Sequence, residues 1–525
     1  MKQPLFHSCT VLLAAGLALA AGCSSGSGGG GDGSGGATAG TGGNATGGGG
    51  RATGAGGAIG TGGRGGATAG VGGAGVGGAA GGGAAGAGAG DDFVTGVTVT
   101  VHPQTTTILV VNWTQARAAD TVRLEFSFAG SSVMLSRGGA GATGAHRDVV
   151  LGVPSATAVT LRIVSRLANV DYKTRDYTGT TGALPAGLPR PTLVSYDATL
   201  ATADRWMFGA VEDSLGGCGT ANCYYDGQFW VYIMDRQARV VWYYADAGNN
   251  ASTSFQRIAK DGEYIWLEHS RVGTRGVTKM TLDRQYMQTI AIAGLAEAID
   301  VTTDGSLLYD AGNELRELNR AGTTRTIFSC RTYFGATYNC YTNTINWNAA
   351  DDTVLMSYPE PNTVIQVNRQ TGAVVATYGD FAGSYTFATA GWSFEWQHFP
   401  NITPAGTLLV SSHLPMFPEG TAPGPMHHGF QEFDIDRTNR RLVQRWIYSE
   451  GAEWPISKGM AFRLANGNTL VNYGTGGVIK EVTADKRIAF QVKFDVATGN
   501  DFTNKMVGHN VLIDDLYALN GGGPR

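Results

Sequence analysis

The sequence predicts an all-β chain: a six-bladed β-propeller preceded by a small fibronectin-like β-sandwich. Three observations carry that expectation. An apolar residue followed by Asp-Arg or Asn-Arg recurs five times, at Asp235-Arg236, Asp283-Arg284, Asn319-Arg320, Asn368-Arg369 and Asp436-Arg437, with a degenerate sixth copy at Asp485-Lys486. Each copy joins two strand-like runs, such as Trp230-Val231-Tyr232-Ile233 and Val240-Val241-Trp242-Tyr243, and Asp or Asn there can bond its own backbone as a hairpin turn requires. A second hairpin signal lies upstream of most copies, at Asp261-Gly262, Asp304-Gly305, Asp351-Asp352, Ala405-Gly406 and Asn466-Gly467. Two hairpins make a four-stranded unit, and the spacing of roughly 40 to 50 residues is that of propeller blades. Finally, residues 91–182 carry short alternating runs, among them Val97-Thr98-Val99-Thr100-Val101 and Ile108-Leu109-Val110-Val111-Asn112-Trp113, which fit a small sandwich with a buried Trp113.

In chain order, residues 1–23 read as an export signal. Lys2 gives the positive start, residues 11–21 are apolar but too short to span a bilayer, and small residues precede Cys23. Leu19-Ala20-Ala21-Gly22-Cys23 resembles a bacterial lipobox, which would make Cys23 the lipidated N-terminus; the alternative is a plain secretory signal. Residues 24–90 are nearly all Gly, Ala, Ser and Thr. Such a segment cannot bury enough surface to offset chain entropy and is expected to be a disordered tether spanning on the order of 45 Å. The sandwich follows over residues 91–182, as a spacer or packing partner. The Pro-rich stretch from Pro185 to Pro191 marks a boundary, and the propeller occupies residues 192–525. A closed ring leaves no bare sheet edge, so the run Val511-Leu512-Ile513 near the C-terminus is expected to pair with the strand region of residues 192–211.

A net charge of −4 without a Lys/Arg cluster argues against nucleic acid as a partner. Of six cysteines, Cys9 falls in the signal and Cys23 is the lipid acceptor. The remaining four suggest two local disulfides in an oxidising compartment, Cys218 to Cys223 and Cys330 to Cys340. A four-cysteine zinc site is the alternative, but the spacings do not form a pair of CxxC knuckles.

In a propeller the first strand of every blade meets the others at the central channel, where a site belongs. Those strand starts fall near Glu297 to Asp300, Tyr341 to Ile345, Trp396 to Phe399 and Lys458 to Ala461. His398 is the chemically versatile residue among them, able to act as base, acid or nucleophile. His413 lies one hairpin further on, and His427 and His428 follow. As neighbours on a strand, His427 and His428 point to opposite faces and cannot share one metal. A metal site using His398, His413 and one of that pair is an alternative, as is a structural role for each; His269 and His509 read as structural, and no metal or cofactor is expected. Trp392, Trp396, Tyr341, Tyr358 and Phe399 cluster near the same mouth. They suit either packing between sheets or a flat aromatic ligand.

Several segments resemble the bacterial arylsulfotransferase family: Glu395-Trp396-Gln397-His398, the turn Thr403-Pro404-Ala405-Gly406-Thr407, the strand Gln431-Glu432-Phe433-Asp434-Ile435-Asp436, Asn343-Thr344-Ile345-Asn346-Trp347, and Leu464-Ala465-Asn466-Gly467-Asn468. The resemblance covers most of the propeller and implies a nucleotide-independent transfer of a sulfuryl group between phenols through a sulfohistidine on His398. It implies a small aromatic partner, a phenol or aryl sulfate; Trp396, Tyr341, His413, His428 and Glu297 are the candidate contacts for it, and the lipobox-like segment implies a membrane reached through the N-terminal lipid. The chain departs from the family's supporting set: Tyr341, the Tyr358-Pro359 pair, Glu297 and Gly429 stand where the family carries His or Arg. A non-catalytic binding or scaffold propeller on a tether is therefore the alternative.

Overall fold

The structure is a computed structural model, and it describes residues 89–212, 229–245, 258–269, 275–296, 298–389, 392–414, 427–449, 458–494 and 507–521; of His269, His413, Leu414, His427 and Thr475 it describes the backbone. Cys23, Cys218, Cys223 and Glu297, and with them the expected signal, lipid site, first disulfide and nearly all of the linker, lie outside the described residues. All described residues belong to one compact unit, Ala79–Arg525.

Small antiparallel sheets dominate, in a propeller-like all-β arrangement. The N-terminal part pairs Val94–Val101, Leu109–Gln115 and Gly144–Val150 in one sheet, and a second sheet is built on Ala119–Phe128 and Ala158–Leu167. Alternation places Val122, Leu124 and Phe126 inward, all buried, as are Trp113 and Ile163. Their core is continuous with Trp206, Phe208 and Ile513 of the following region, so the N-terminal part is a packing partner. Tyr517 hydroxyl seals the contact, donating to Val149 O and accepting from Leu151 N–H.

Six further sheets follow, named here from first strand outward. Sheet I holds Val507–Ile513, Trp206–Glu212, Phe229–Asp235 and Val240–Tyr244; sheet II, Ile258–Lys260, Ile265–His269, Gly276–Met280 and Met287–Ala291. Sheet III holds Ile299–Val301, Leu307–Asp310, Glu314–Leu318 and Thr324–Ser329; sheet IV, Thr344–Asn348, Thr353–Tyr358, Thr363–Asn368 and Val374–Gly379. Sheet V runs His398–Ile402, Leu408–Leu414, His427–Asp436, Arg441–Tyr448 and a short parallel strand, Thr386–Phe387; sheet VI runs Met460–Arg463, Thr469–Asn472, Val478–Val482, Ile488–Phe494 and Pro191–Tyr196. Every Asp-Arg or Asn-Arg copy turns a sheet's third strand into its fourth, and every upstream signal turns the first strand into the second. Strands buried on both faces read as unbroken apolar runs, as in Phe229–Asp235, whereas the edge strand Met287–Ala291 is largely exposed.

Closure is double. Trp206 pairs with Ile513 and Val211 with Val507, so the C-terminal strand completes sheet I as expected. The segment around Thr192, expected to join the same pairing, instead pairs with Phe494 through Phe490 as the outer strand of sheet VI. Pro191, which lacks a donor, sits at that edge where no ladder bond is lost.

First strands touch in sequence from sheet I to sheet VI, and Thr469–Asn472 of sheet VI touches the first strand of sheet I. Side chains bridge them: Asn346 Nδ2 donates to Pro400 O (2.7 Å), Asn401 Nδ2 to Ala461 O (2.8 Å) and Asn472 Nδ2 to Gly508 O (2.6 Å). The recurring turn arginines also reach backwards. Arg236 pairs with Glu481 of sheet VI, Arg284 lies over the Tyr244 ring of sheet I (4.7 Å), Arg320 meets Glu263 of sheet II (3.9 Å) and Arg369 meets Glu317 of sheet III (2.7 Å). The motif read as a turn is thus also a tie between sheets.

Candidate functional site

His398 opens the first strand of sheet V, half-buried, with Ser411 opposite it in register. How it is held is unusual. Trp396 (φ 48°) and Phe399 (φ 50°) both adopt left-handed backbone, a strained state for bulky residues that persists only when surroundings enforce it. Gln397, between Trp396 and His398, is fully buried. Its Nε2 donates to Tyr358 O (2.9 Å), and its carbonyl accepts from Asn343 Nδ2 (2.9 Å) and Ser357 Oγ (2.6 Å). Gln397 therefore clamps this turn onto sheet IV. As a result Trp396 is thrown outward, 52% exposed, and Phe399 turns inward to meet the His509 ring edge-on at 4.7 Å.

Just before the first strand of sheet VI stand Lys458 (φ 71°) and Gly459 (φ 115°). Asn401, three residues after His398, bonds Ala461, three residues after Lys458, so the segments that begin with His398 and Lys458 meet along adjacent first strands. Lys458 is buried, its Nζ 5.8 Å from the Phe229 ring centroid. His428 is buried and its Nε2 lies 2.7 Å from Ser411 Oγ. A Cβ at Gly459 would collide with Ser411 Oγ and the His428 ring, so only glycine fits this close approach. At the same end, the buried carboxylates Glu212 and Asp310 are the last residues of the second strands of sheets I and III, and Glu268 the second-last of sheet II. Glu395, three residues before His398, titrates above its ordinary range, chiefly through burial and also through nearby Asp380. Among the described residues no cluster of His, Cys, Asp or Glu is arranged to hold a metal ion.

The expected site residues separate on inspection. Trp396 and Tyr341 are exposed, the latter 43%. Tyr358 is buried in the core of sheets III and IV, with burial raising its hydroxyl pKa above the usual phenol value, so it is packing rather than a ligand contact. His413 pairs in register with His428, while its side chain and Glu297 lie outside the described residues. The second expected disulfide is present, Cys330 to Cys340 with Cα atoms 5.7 Å apart, closing the loop after a short helix, Cys330–Phe334. The sequence alone assigned no role to Gln397 or Lys458 and pointed to a structural role for His509. Lys458 could have been found from its strand-start position; His509 could not, because only ring closure places its strand first.

No protein-family model matches the chain, and no curated protein matches it. Among solved structures, a Bacteroides caccae protein of unknown function aligns over 55% of this chain and 93% of its own at 14% identity, with a TM-score of 0.35. Virginiamycin B lyase from Staphylococcus aureus aligns over 46% and 69% respectively at 10% identity, TM-score 0.30. At these values the likenesses carry no argument about activity.

Proposed function

We propose that this chain is an exported, lipid-tethered protein in which a fibronectin-like sandwich supports a six-bladed β-propeller, and that the propeller's mouth transfers a sulfuryl group between phenolic compounds with His398 as nucleophile. The six sheets would be the blades, Cys23 the lipid acceptor at the outer membrane, and Cys218 to Cys223 a second disulfide. The observation that carries the reading is the clamp at Gln397, which holds a strained turn so that it presents an imidazole at the channel and an exposed indole beside it. Strain maintained by several hydrogen bonds points to function rather than packing.

In the reaction, a neutral His398 nitrogen attacks sulfur, the sulfur–oxygen bond to the aryl group breaks, and the aryl oxygen leaves with the electron pair and takes up a proton. An acceptor phenol then attacks the same sulfur, losing its proton as the nitrogen–sulfur bond breaks. Lys458 would balance the sulfuryl oxygens as charge shifts onto them, in place of the cations that the family carries elsewhere. Trp396 and Tyr341 offer faces to the aromatic ring.

A second reading, a binding propeller without chemistry, is favoured by Tyr358, which stands in the core where a cation would be needed, and by the acidic groups at the mouth. Intact-protein mass spectrometry after exposure to a phenyl sulfate and alkaline quench separates the two. A gain of about 80 Da that is absent in His398→Ala supports transfer. No adduct and no phenol release leaves the binding reading.

A further inference from the structure

At the opposite end from His398, on the side of the Asp261–Tyr264 and Asn319–Arg320 turns, an open groove of about 730 Å³ separates the outer halves of sheets II and III. Its existence follows from how the turn arginines behave. At the junctions of sheets VI with I and III with IV, Arg236 and Arg369 are each 8% exposed and fill the junction with buried ion pairs. Between sheets II and III the equivalent Arg320 swings outward, 69% exposed, and reaches Glu263 only at 3.9 Å. The space that it would occupy stays open.

The lining has two characters. The accessible apolar wall comes from Tyr264 and Ile290, with Tyr286 at the rim, 39% exposed and bonded through its hydroxyl to Gln288 Oε1 (2.7 Å), while Leu307, Trp266 and Tyr309 border the groove but are nearly fully buried. Directional donors come from Lys279, Arg316 and Arg320, each already met by a carboxylate: Asp261 at 3.5 Å, Glu314 at 2.6 Å and Glu263 at 3.9 Å. None of those carboxylates lines the groove. The groove thus offers N–H donors without net positive charge, beside flat apolar surface. An anion would find its cations already neutralised, and a purely apolar ligand would leave the donors without use. A sugar ring combines an apolar C–H face with hydroxyls at its edge, and the volume suits a short oligomer.

We propose that the groove between sheets II and III binds an uncharged oligosaccharide, with Tyr286 and Arg316 as principal contacts. The site does not depend on the chemistry at His398. Calorimetric titration of the full chain with tetrasaccharides of β-1,4-glucose, β-1,4-N-acetylglucosamine, α-1,4-glucose and β-1,4-xylose, with tetragalacturonate as the charged counterpart, tests it. One neutral sugar should bind. Tyr286→Ala and Arg316→Ala, both at partly exposed positions and checked by an unchanged melt, should each weaken it about ten-fold or more. His398→Ala should leave it intact. No neutral sugar binding, preference for tetragalacturonate, or loss with His398→Ala but not Arg316→Ala would each overturn the assignment.

Discussion

Removing Arg369 tests whether the turn arginines hold the sheets together. Its guanidinium donates to Glu317 Oε1 (2.7 Å), Asp304 Oδ2 (3.0 Å) and Asp352 Oδ1 (3.2 Å), and thereby links sheet IV to sheet III. Arg369 and Glu317 side chains are 8% and 5% exposed, while Asp304 is 58% exposed, so nearly all the energetic weight rests on the Glu317 pair. Breaking a buried pair by deleting one partner costs about 3 to 5 kcal/mol because the other charge is stranded. Here Arg325 still donates to Glu317 at 2.6 Å, so the lower end, about 3 kcal/mol for Arg369→Leu, is expected. For a domain of this size that is a fall in Tm of roughly 3 °C. Burial works against ionisation of Glu317, but bonds from Arg369 and Arg325 outweigh it and hold the carboxyl below its ordinary value. A depressed pKa contributes stability that is full above the unfolded value, about 4.3, and is lost as pH falls through the folded one. The gap between wild type and Arg369→Leu should therefore close on acidification below about pH 4. Adding Glu317→Leu should recover part of the loss, since an apolar pair strands no charge. Calorimetric melts from pH 3 to 7 read all of this. An unchanged melt for Arg369→Leu, or a double variant less stable than the single one, refutes the reasoning.

Two further outcomes are expected. Asp300, on the first strand of sheet III, is pushed up to about 6 by burial despite accepting Trp347 and Val301 N–H bonds. A raised carboxyl favours the folded state below the unfolded pKa and loses that advantage as pH rises through 6, so wild type should lose up to about 2 kcal/mol between pH 4 and 7 that Asp300→Asn does not; parallel slopes for the two proteins would contradict this. Deleting residues 507–525 removes the first strand of sheet I and exposes Trp206–Glu212 along its whole length. The truncated chain should lose its cooperative melt, and a transition unchanged in midpoint and sharpness would show that closure is dispensable.

Much of the fold was legible because turn chemistry and strand alternation are local. Asp304-Gly305 and Asn368-Arg369 announce hairpins whatever lies elsewhere, and each is found at a turn. His398 was legible as a strand start for the same reason. The site's other members were not, since nothing within a few residues of Gln397 signals that its amide will bond Tyr358, 39 positions away. The arginine of the repeated turn was read as punctuation, because its partner lies 52 positions back for Arg369 and 245 forward for Arg236.

By itself the sequence determined the composition of each strand, the positions of the turns and the expectation of an exported chain, all of which depend on side-chain types within one hairpin. Tertiary structure alone decided which ends pair to close sheets I and VI, that Phe399, next to His398, meets the His509 ring, and that the junction of sheets II and III stays open while its neighbours are filled. The physical reason is that burial, charge pairing and close approach depend on distances between sheets, and residues far apart along the chain set those distances.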